Sequence, residues 1–218
     1  MNLNIQKNKT DGEIAEQIAS AINRELRLGK SVLWFISGGS SIPVEILIAQ
    51  KIKDVQQDKL VVTLTDERYG EIDHKESNWF KLKTGGFDIK GAKIIPFLCG
   101  KDILNTTSDI IQTLTTELEK APYKIGLFGV GTDGHTAGIL PNSESVKADY
   151  LVYSYDAPPF TRITITPKTI LNLDEAFIYA IGESKLEVIK KLKLDDLTVE
   201  ELPAQILKAI PLLTVFTN

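Results

Sequence analysis

Tyr123-Lys124-Ile125-Gly126-Leu127-Phe128, followed at once by Gly129-Val130-Gly131-Thr132-Asp133-Gly134-His135-Thr136-Ala137-Gly138-Ile139, decides how this chain is read. The first six residues are an apolar run of strand length, as expected for a strand covered on both faces. The glycines that follow let the backbone turn sharply and approach a ligand closely. Within them stands one of only two histidines in the chain, the side chain whose ordinary pKa best suits proton transfer near neutral pH. Strand, glycine-rich turn, then Asp-Gly-His is the order expected of a catalytic loop at the carboxyl edge of an α/β sheet.

Outward from this stretch, strand and helix patterns alternate. Helical periodicity runs over residues 13–28, with Asp11 as its cap and Gly29 as its stop. A continuous apolar run over 31–36 predicts a buried strand, and 44–52 predicts a helix with Pro43 in its first turn. Further strands are expected over 60–64, 94–97, 150–155, 162–166, 176–181 and 212–216, and helices over 108–120 and 186–194. There is no internal repeat and no Pro/Gly/Ser-rich linker. The pattern predicts an α/β fold: a Rossmann-like, three-layer α/β/α arrangement with a mostly parallel sheet, forming a single domain over residues 1–218.

Composition narrows the function. The 218 residues are 43 % hydrophobic and 25 % charged, with a formal net charge of -4 and a pI near 5.3. Nucleic-acid binders normally show a basic surface, so no nucleic-acid partner is expected. No apolar run approaches the roughly 18 residues that span a bilayer, and the polar first ten residues lack the core of a signal peptide. No membrane partner is expected, and the cytoplasm is the expected location. Nothing in the sequence specifies an oligomeric state. Cys99 stands alone, which forbids an intramolecular disulfide; at the end of an apolar stretch it reads as a buried structural thiol. His74, among charged residues, reads as a surface histidine.

Loops leaving the carboxyl ends of parallel strands gather at one edge of the sheet, and four others carry chemistry. Ser37-Gly38-Gly39-Ser40-Ser41-Ile42-Pro43 joins a strand to a helix. Paired glycines, hydroxyls and a helix N-terminus make a natural phosphate cradle. It is neither a dinucleotide fingerprint nor a Walker motif, so no nucleotide cofactor is expected. Thr65-Asp66-Glu67-Arg68-Tyr69, with Glu76-Ser77-Asn78 beyond it, reads by default as a solvated loop. Pro158-Pro159-Phe160-Thr161-Arg162-Ile163-Thr164 opens a strand with an arginine. Gly182-Glu183-Ser184-Lys185 leads from a strand into a helix.

The segment GVGTDGHTAGILPNS resembles the G-x-G-x-D-G-H-T-A-S-L-F-P signature of the 6-phosphogluconolactonases, whose wider superfamily includes the glucosamine-6-phosphate deaminases. The four other segments are similar, in order, to that family's S-G-G-S-T-P, D-E-R-Y with S-N, P-P-x-x-R-I-T and G-x-x-K elements. One departure is Ile42, an extra residue before the proline. The resemblance covers most of the chain. It implies hydrolysis of a small phosphorylated sugar lactone, with no cofactor. Gly38, Gly39, Ser40, Ser41, Arg68, Asn78, Gly131, Arg162 and Lys185 are then expected at the substrate, Arg162 and Lys185 on its phosphate. A guanidinium suits that task because its planar fork binds two oxygens at once.

Lactone opening is attack of water on an ester carbonyl. It needs a base, a donor facing the developing oxyanion and a handle on the substrate. His135 is the expected base. Asp133 or Asp66 orients the imidazole or the water, and backbone N–H groups near Gly131 or Gly38 face the oxyanion. No metal is expected, since no His, Cys and carboxylate cluster has zinc-like spacing. The deaminase/isomerase branch resembles D-G-H-I-A-F-N-E-P and places a glutamate five residues after the histidine. Here that position is Leu140, which cannot transfer a proton. The deaminase branch also typically reads D-E-Y, where this chain has Asp66-Glu67-Arg68. A non-catalytic sugar-phosphate sensor, the third alternative, would keep the phosphate ligands but has no need of Asp133 and His135.

Overall fold

In a computed structural model, residues 3–53, 55–194 and 197–218 are described; Met1 and Asn2 of the polar start lie outside them. The frame is a seven-stranded parallel sheet. Its strands are β1 (Asn4–Lys7), β2 (Val32–Ile36), β3 (Leu60–Leu64), β5 (Lys93–Ile95), β6 (Tyr123–Gly129), β9 (Glu175–Ala180) and β10 (Leu212–Thr217), in the order β1-β10-β9-β6-β2-β3-β5. All six pairings are parallel. Every residue of β2 is buried, as its unbroken apolar run requires when both faces are covered.

Helices α1 (Asp11–Arg27), α2 (Ile42–Lys51), α3 (Asn78–Thr84), α4 (Ile103–Lys120), α5 (Pro167–Ile170) and α6 (Leu186–Lys193) provide the layers. α1 begins at Asp11, two residues before the expected start, and is capped one residue earlier than expected. Thr10 is the cap: its Oγ1 accepts from the Glu13 amide at 3.2 Å, and its own amide donates to Glu13 Oε2 at 2.9 Å. This reciprocal box satisfies two amides that a helix start leaves unpaired. The Glu13 carboxyl is accordingly lowered to about 2, first by the Thr10 amide and then by Lys9. α4 starts five residues earlier than its apolar periodicity indicates. The Asp102 side chain caps it by accepting from the Asn105 amide at 3.0 Å, while the Asn and Thr of its first turns are weak helix formers. β5 stops at Ile95 because Pro96 has no N–H to give the ladder.

Chain order reverses at the middle of the sheet. From β2 the chain moves outward through β3 to β5, then returns to place β6 on the other side of β2 and continues to β9 and β10. β2 and β6 therefore flank a topological switch point, where the loops leaving adjacent strands diverge and open a crevice. The phosphate-cradle segment leaves β2, and the Asp-Gly-His turn leaves β6.

A second sheet corrects the loop expectation for two segments. β4 (Asp66–Arg68), β8 (Phe160–Ile165) and β7 (Val152–Ala157) form an antiparallel sheet in the order β4-β8-β7. Asp66-Glu67-Arg68 is a strand, with Asp66 and Glu67 buried. Arg162 lies within a β-hairpin that turns at Pro158-Pro159, and not beyond a parallel strand. Thr65 ties the sheets together: its amide donates to Ile36 O at 2.7 Å and its carbonyl accepts from Ile165 at 2.9 Å.

The core gathers Trp34, Phe35, Phe128, Phe177 and Phe216, all fully buried. Phe177 and Phe216, on neighbouring strands, stack with centroids 5.8 Å apart. Each such ring contributes about 1.5–3 kcal/mol by leaving water. Cys99 departs from its expected burial. It is exposed, because Phe97 and Leu98 take the buried positions and the chain turns outward at Gly100, φ 76°. Among the described residues, no helix is long and apolar enough to cross a membrane.

Candidate active site

At the switch point lies a cavity of about 270 Å³, walled by Ser37, Gly38, Gly39 and Ser40 from the turn after β2, by Gly129 at the end of β6 and Val130, Gly131, His135 and Ala137 from the turn after it, by Asp66, Arg68 and Arg162 from the second sheet, and by Asn78 and Lys185. Of the residues singled out from sequence, Gly38, Gly39, Ser40, Asp66, Arg68, Asn78, Gly131, His135, Arg162 and Lys185 stand on its wall, though they span 148 positions of chain, from 38 to 185. Ser41 and Asp133 do not. Each acts on a neighbour that does.

On the β6 side, His135 Nδ1 lies 2.7 Å from Asp133 Oδ1. A carboxylate only accepts, so Nδ1 carries a hydrogen, and in the neutral imidazole Nε2 is the acceptor. Burial raises the Asp133 carboxyl, but the His135 charge and hydrogen bonds from the His135 amide and ring outweigh it and leave the carboxyl below its ordinary value. The turn is closed by the Gly131 amide, which donates to the His135 carbonyl at 2.8 Å. That amide is spent inside the turn, so of the N–H groups expected near Gly131 or Gly38 it is not one free to face an oxyanion. A side chain at Gly131 would collide with the ring of His135 and the carboxylate of Asp133; the pair can close only over glycine. Further along, Tyr155 holds the turn by donating to the Gly138 carbonyl at 2.6 Å.

On the β2 side, Ser41 is buried and donates to the Gly38 carbonyl at 2.9 Å, with its oxygen 2.9 Å from Ser37 Oγ. It pins the turn from beneath, which corrects its expected contact with a ligand. A single 3₁₀ turn, Gly39–Ser41, leads directly into α2, with Pro43 in the first turn and the extra Ile42 as the first helical residue. Under this turn Glu45 is fully buried. One of its oxygens accepts from the Ser37 amide at 2.6 Å, and the other has no partner among the described residues. Desolvation raises its carboxyl well above the ordinary value of 4.5, outweighing the Ser37 and Ser41 hydrogen bonds.

The second sheet supplies the charges. Arg68 and Arg162 are direct cross-strand partners, an arrangement of like charges that is unfavourable on its own. Asp66 partly offsets it, with Oδ2 3.4 Å from Arg162 Nη1. Arg68 Nη1 donates to the Glu76 carbonyl at 2.9 Å. The Nε atoms of both arginines are buried and meet no acceptor among the described residues. Lys185, in the short turn that precedes α6, reaches the same cavity and donates to the Val130 carbonyl at 2.7 Å.

Glu67, between Asp66 and Arg68, points the other way and is fully buried. It accepts from the amides of Arg68 (2.7 Å), Asn78 (2.6 Å) and Trp79 (3.0 Å) and from the Ser77 hydroxyl (2.8 Å). Burial raises its carboxyl, and these hydrogen bonds oppose the rise without cancelling it. The carboxyl thus fixes Arg68 and the start of α3, and with it Asn78. Asn78 Nδ2 donates to the Asp66 carbonyl at 3.0 Å, so its Oδ1 faces away; that buried oxygen has no partner among the described residues. Neither Glu45 nor Glu67 was singled out from sequence. Glu67, just past a predicted strand, and Glu45, in the first turn of a predicted helix, both read as solvated, and only the partners the fold brings to them reveal otherwise. His74 is half-buried and closes the loop after β4, Nε2 lying 2.9 Å from the Arg68 carbonyl; it lies outside the cavity wall.

Comparison with known proteins places this geometry. Residues 6–213 match the family described as glucosamine-6-phosphate isomerases/6-phosphogluconolactonase. A 6-phosphogluconolactonase of Helicobacter pylori (strain J99) is 23 % identical over 187 residues, covering 82 % of this chain and 79 % of the relative. The crystal structure of a 6-phosphogluconolactonase from Shewanella baltica OS155 superposes with a TM-score of 0.84 at 24 % identity, covering 100 % of this chain and 98 % of that one. A monomeric glucosamine-6-phosphate deaminase also superposes, with a TM-score of 0.78 at 21 % identity, covering 99 % and 97 %. The fold is common to both activities, so the choice between them rests on the site.

Proposed function

The chain belongs to the glucosamine-6-phosphate isomerase/6-phosphogluconolactonase family, and from that premise we propose that its cavity hydrolyses 6-phospho-D-glucono-1,5-lactone to 6-phospho-D-gluconate, the lactonase step of the oxidative pentose phosphate pathway. The observation that carries the reading is the division of the cavity wall: a histidine backed by a carboxylate on one side, and two opposed arginines with unpaired Nε donors on another. The first is equipment for activating water, the second for holding a dianion.

In this mechanism His135 Nε2 takes a proton from water as the oxygen attacks the lactone carbonyl. Asp133 holds the imidazole in the tautomer that allows this and stabilises the imidazolium that forms. When the tetrahedral intermediate collapses, the carbonyl–ring oxygen bond breaks, and the imidazolium returns its proton to the departing ring oxygen. Water has then been added across the ester, and the base is regenerated. With the Gly131 amide committed to its own turn, the amide of Gly38 is the backbone donor assigned to the oxyanion. Arg68, Arg162 and Lys185 hold the phosphate through charge-assisted hydrogen bonds. Asn78 Oδ1 and Asp66 accept from sugar hydroxyls. The Gly39 and Ser40 segment closes around the substrate. Walls drawn from both sheets support reading residues 1–218 as one domain, and a phosphorylated sugar substrate fits a cytoplasmic location.

The deaminase reading lacks its proton shuttle. Leu140 occupies the position five after His135, and among the described residues no acid other than Asp66 stands on the cavity wall. The discriminating experiment offers the purified protein both substrates. The phosphorylated lactone should be opened, while glucosamine-6-phosphate should give no ammonia above background. Ammonia release at a rate comparable to lactone opening overturns the proposal.

A further inference from the structure

Arg68 and Arg162 face a problem that their ligand-holding role does not solve. They are direct cross-strand partners of like charge, with one carboxylate, Asp66, beside Arg162. Flexible side chains in that position would splay toward water or fold onto Asp66, and each lost rotamer would then have to be recovered on binding. The structure contains an answer in Phe160. It lies two residues before Arg162 on β8, hence on the same face of the sheet, and diagonally across from Arg68. The Arg68 guanidinium carbon sits over the Phe160 ring at 5.2 Å from its centroid, and that of Arg162 at 5.9 Å.

One ring thus carries two guanidiniums. The negative face of an aromatic ring attracts a cation within about 6 Å, most strongly where water is excluded; the Arg162 side chain is only 14 % exposed. The ring sits close after the Pro158-Pro159 turn, in register with Ala157 across the hairpin, so it is held at a tight corner of the second sheet. It does not itself line the cavity. Its position is one of the two left open in the P-P-x-x-R-I-T pattern, so the resemblance gives it no role.

We propose that Phe160 is a positioning residue: by stacking under both Arg68 and Arg162 it holds the two guanidiniums side by side for the substrate phosphate and thereby sets the preference for a phosphorylated lactone. This rests on the proposed lactonase function, and the test separates the two. Phe160→Leu keeps an apolar side chain but removes the ring; Phe160→Trp keeps a ring. For each, 6-phosphogluconate affinity is measured by calorimetry, and kcat and KM are measured for the phosphorylated lactone and for phosphate-free glucono-1,5-lactone. With Phe160→Leu, 6-phosphogluconate should bind about 5- to 30-fold more weakly, the range of one or two cation–π contacts. KM for the phosphorylated lactone should rise in proportion, kcat should stay within about twofold, and the phosphate-free lactone should be unaffected. Phe160→Trp should stay near wild type. A purely structural role would lower turnover of both lactones together, and that result overturns the proposal. So does unchanged 6-phosphogluconate binding in Phe160→Leu while wild type binds it. Wild-type protein that fails to bind 6-phosphogluconate contradicts the lactonase function itself.

Discussion

Asp133 stands half-exposed outside the cavity wall, yet its Oδ1 lies 2.7 Å from Nδ1 of His135, which is on that wall. In the proposed mechanism the carboxylate fixes the imidazole tautomer as well as stabilising the imidazolium. Asp133→Asn tests it, because an amide can donate to Nδ1 and leave the hydrogen on Nε2, where a base needs a lone pair. Turnover should fall about 10²- to 10⁴-fold, the range for loss of a general base, with KM little changed. His135→Ala should fall as far. His74→Ala, which loosens only the turn bonded to the Arg68 carbonyl, should retain most of its kcat. Near-normal turnover in Asp133→Asn would remove the tautomer argument.

Arg162→Lys preserves charge and removes the fork. An ammonium donates from one point, whereas the guanidinium offers a planar pair and an Nε that is buried without a partner among the described residues. Losing a charge-assisted hydrogen bond costs about 1.5–3 kcal/mol. KM for the phosphorylated lactone should therefore rise roughly 10- to 100-fold while kcat changes less. Steady-state kinetics decide it, and a kcat effect larger than the KM effect would place Arg162 at the reacting carbon instead.

Glu67→Gln tests the brace behind Arg68 and Asn78. Four donors converge on the carboxyl, and an amide brings a fifth and sixth hydrogen into a place that needs acceptors. Leaving buried donors unmet costs about 1–3 kcal/mol each. Urea unfolding should show a loss of at least that size, and the folded variant should have a raised KM. Stability equal to wild type would mean the hydrogen bonds are replaceable.

Glu45 gives stability a pH slope. Desolvation holds its folded-state pKa well above 4.5, so the folded protein keeps a proton that the unfolded chain releases. Stability from this group is present below its unfolded value and is lost as pH rises through the folded value. Glu45→Gln lacks the titration. Its stability relative to wild type should improve as pH rises above 4.5 toward the raised folded value, read as a shift in urea midpoint. A difference independent of pH would contradict the assignment.

The parallel sheet was legible because β2, β3, β6 and β9 are apolar runs whose burial needs no knowledge of their neighbours. The second sheet was not. Asp66-Glu67-Arg68 looks solvated in sequence, and it is strand only because Glu67 finds its partners at residues 77–79 and Asp66 reaches Arg162. The cavity wall was largely readable, since glycine-rich turns after strands and paired arginines carry chemistry on their face. The supports behind it were hidden. Glu45, Glu67 and Phe160 act through residues that the fold, and not the chain order, brings beside them. The Gly131 amide shows the converse: a glycine legible as part of the site proves to be spent on its own turn.

Hydrolysis of freshly generated 6-phospho-D-glucono-1,5-lactone, followed at neutral pH and corrected for spontaneous opening, tests the central claim most directly. Purified wild-type protein should open it catalytically and release 6-phospho-D-gluconate, and His135→Ala at the same concentration should be slower by about 10²- to 10⁴-fold. Opening by wild-type protein no faster than the spontaneous rate would contradict the account.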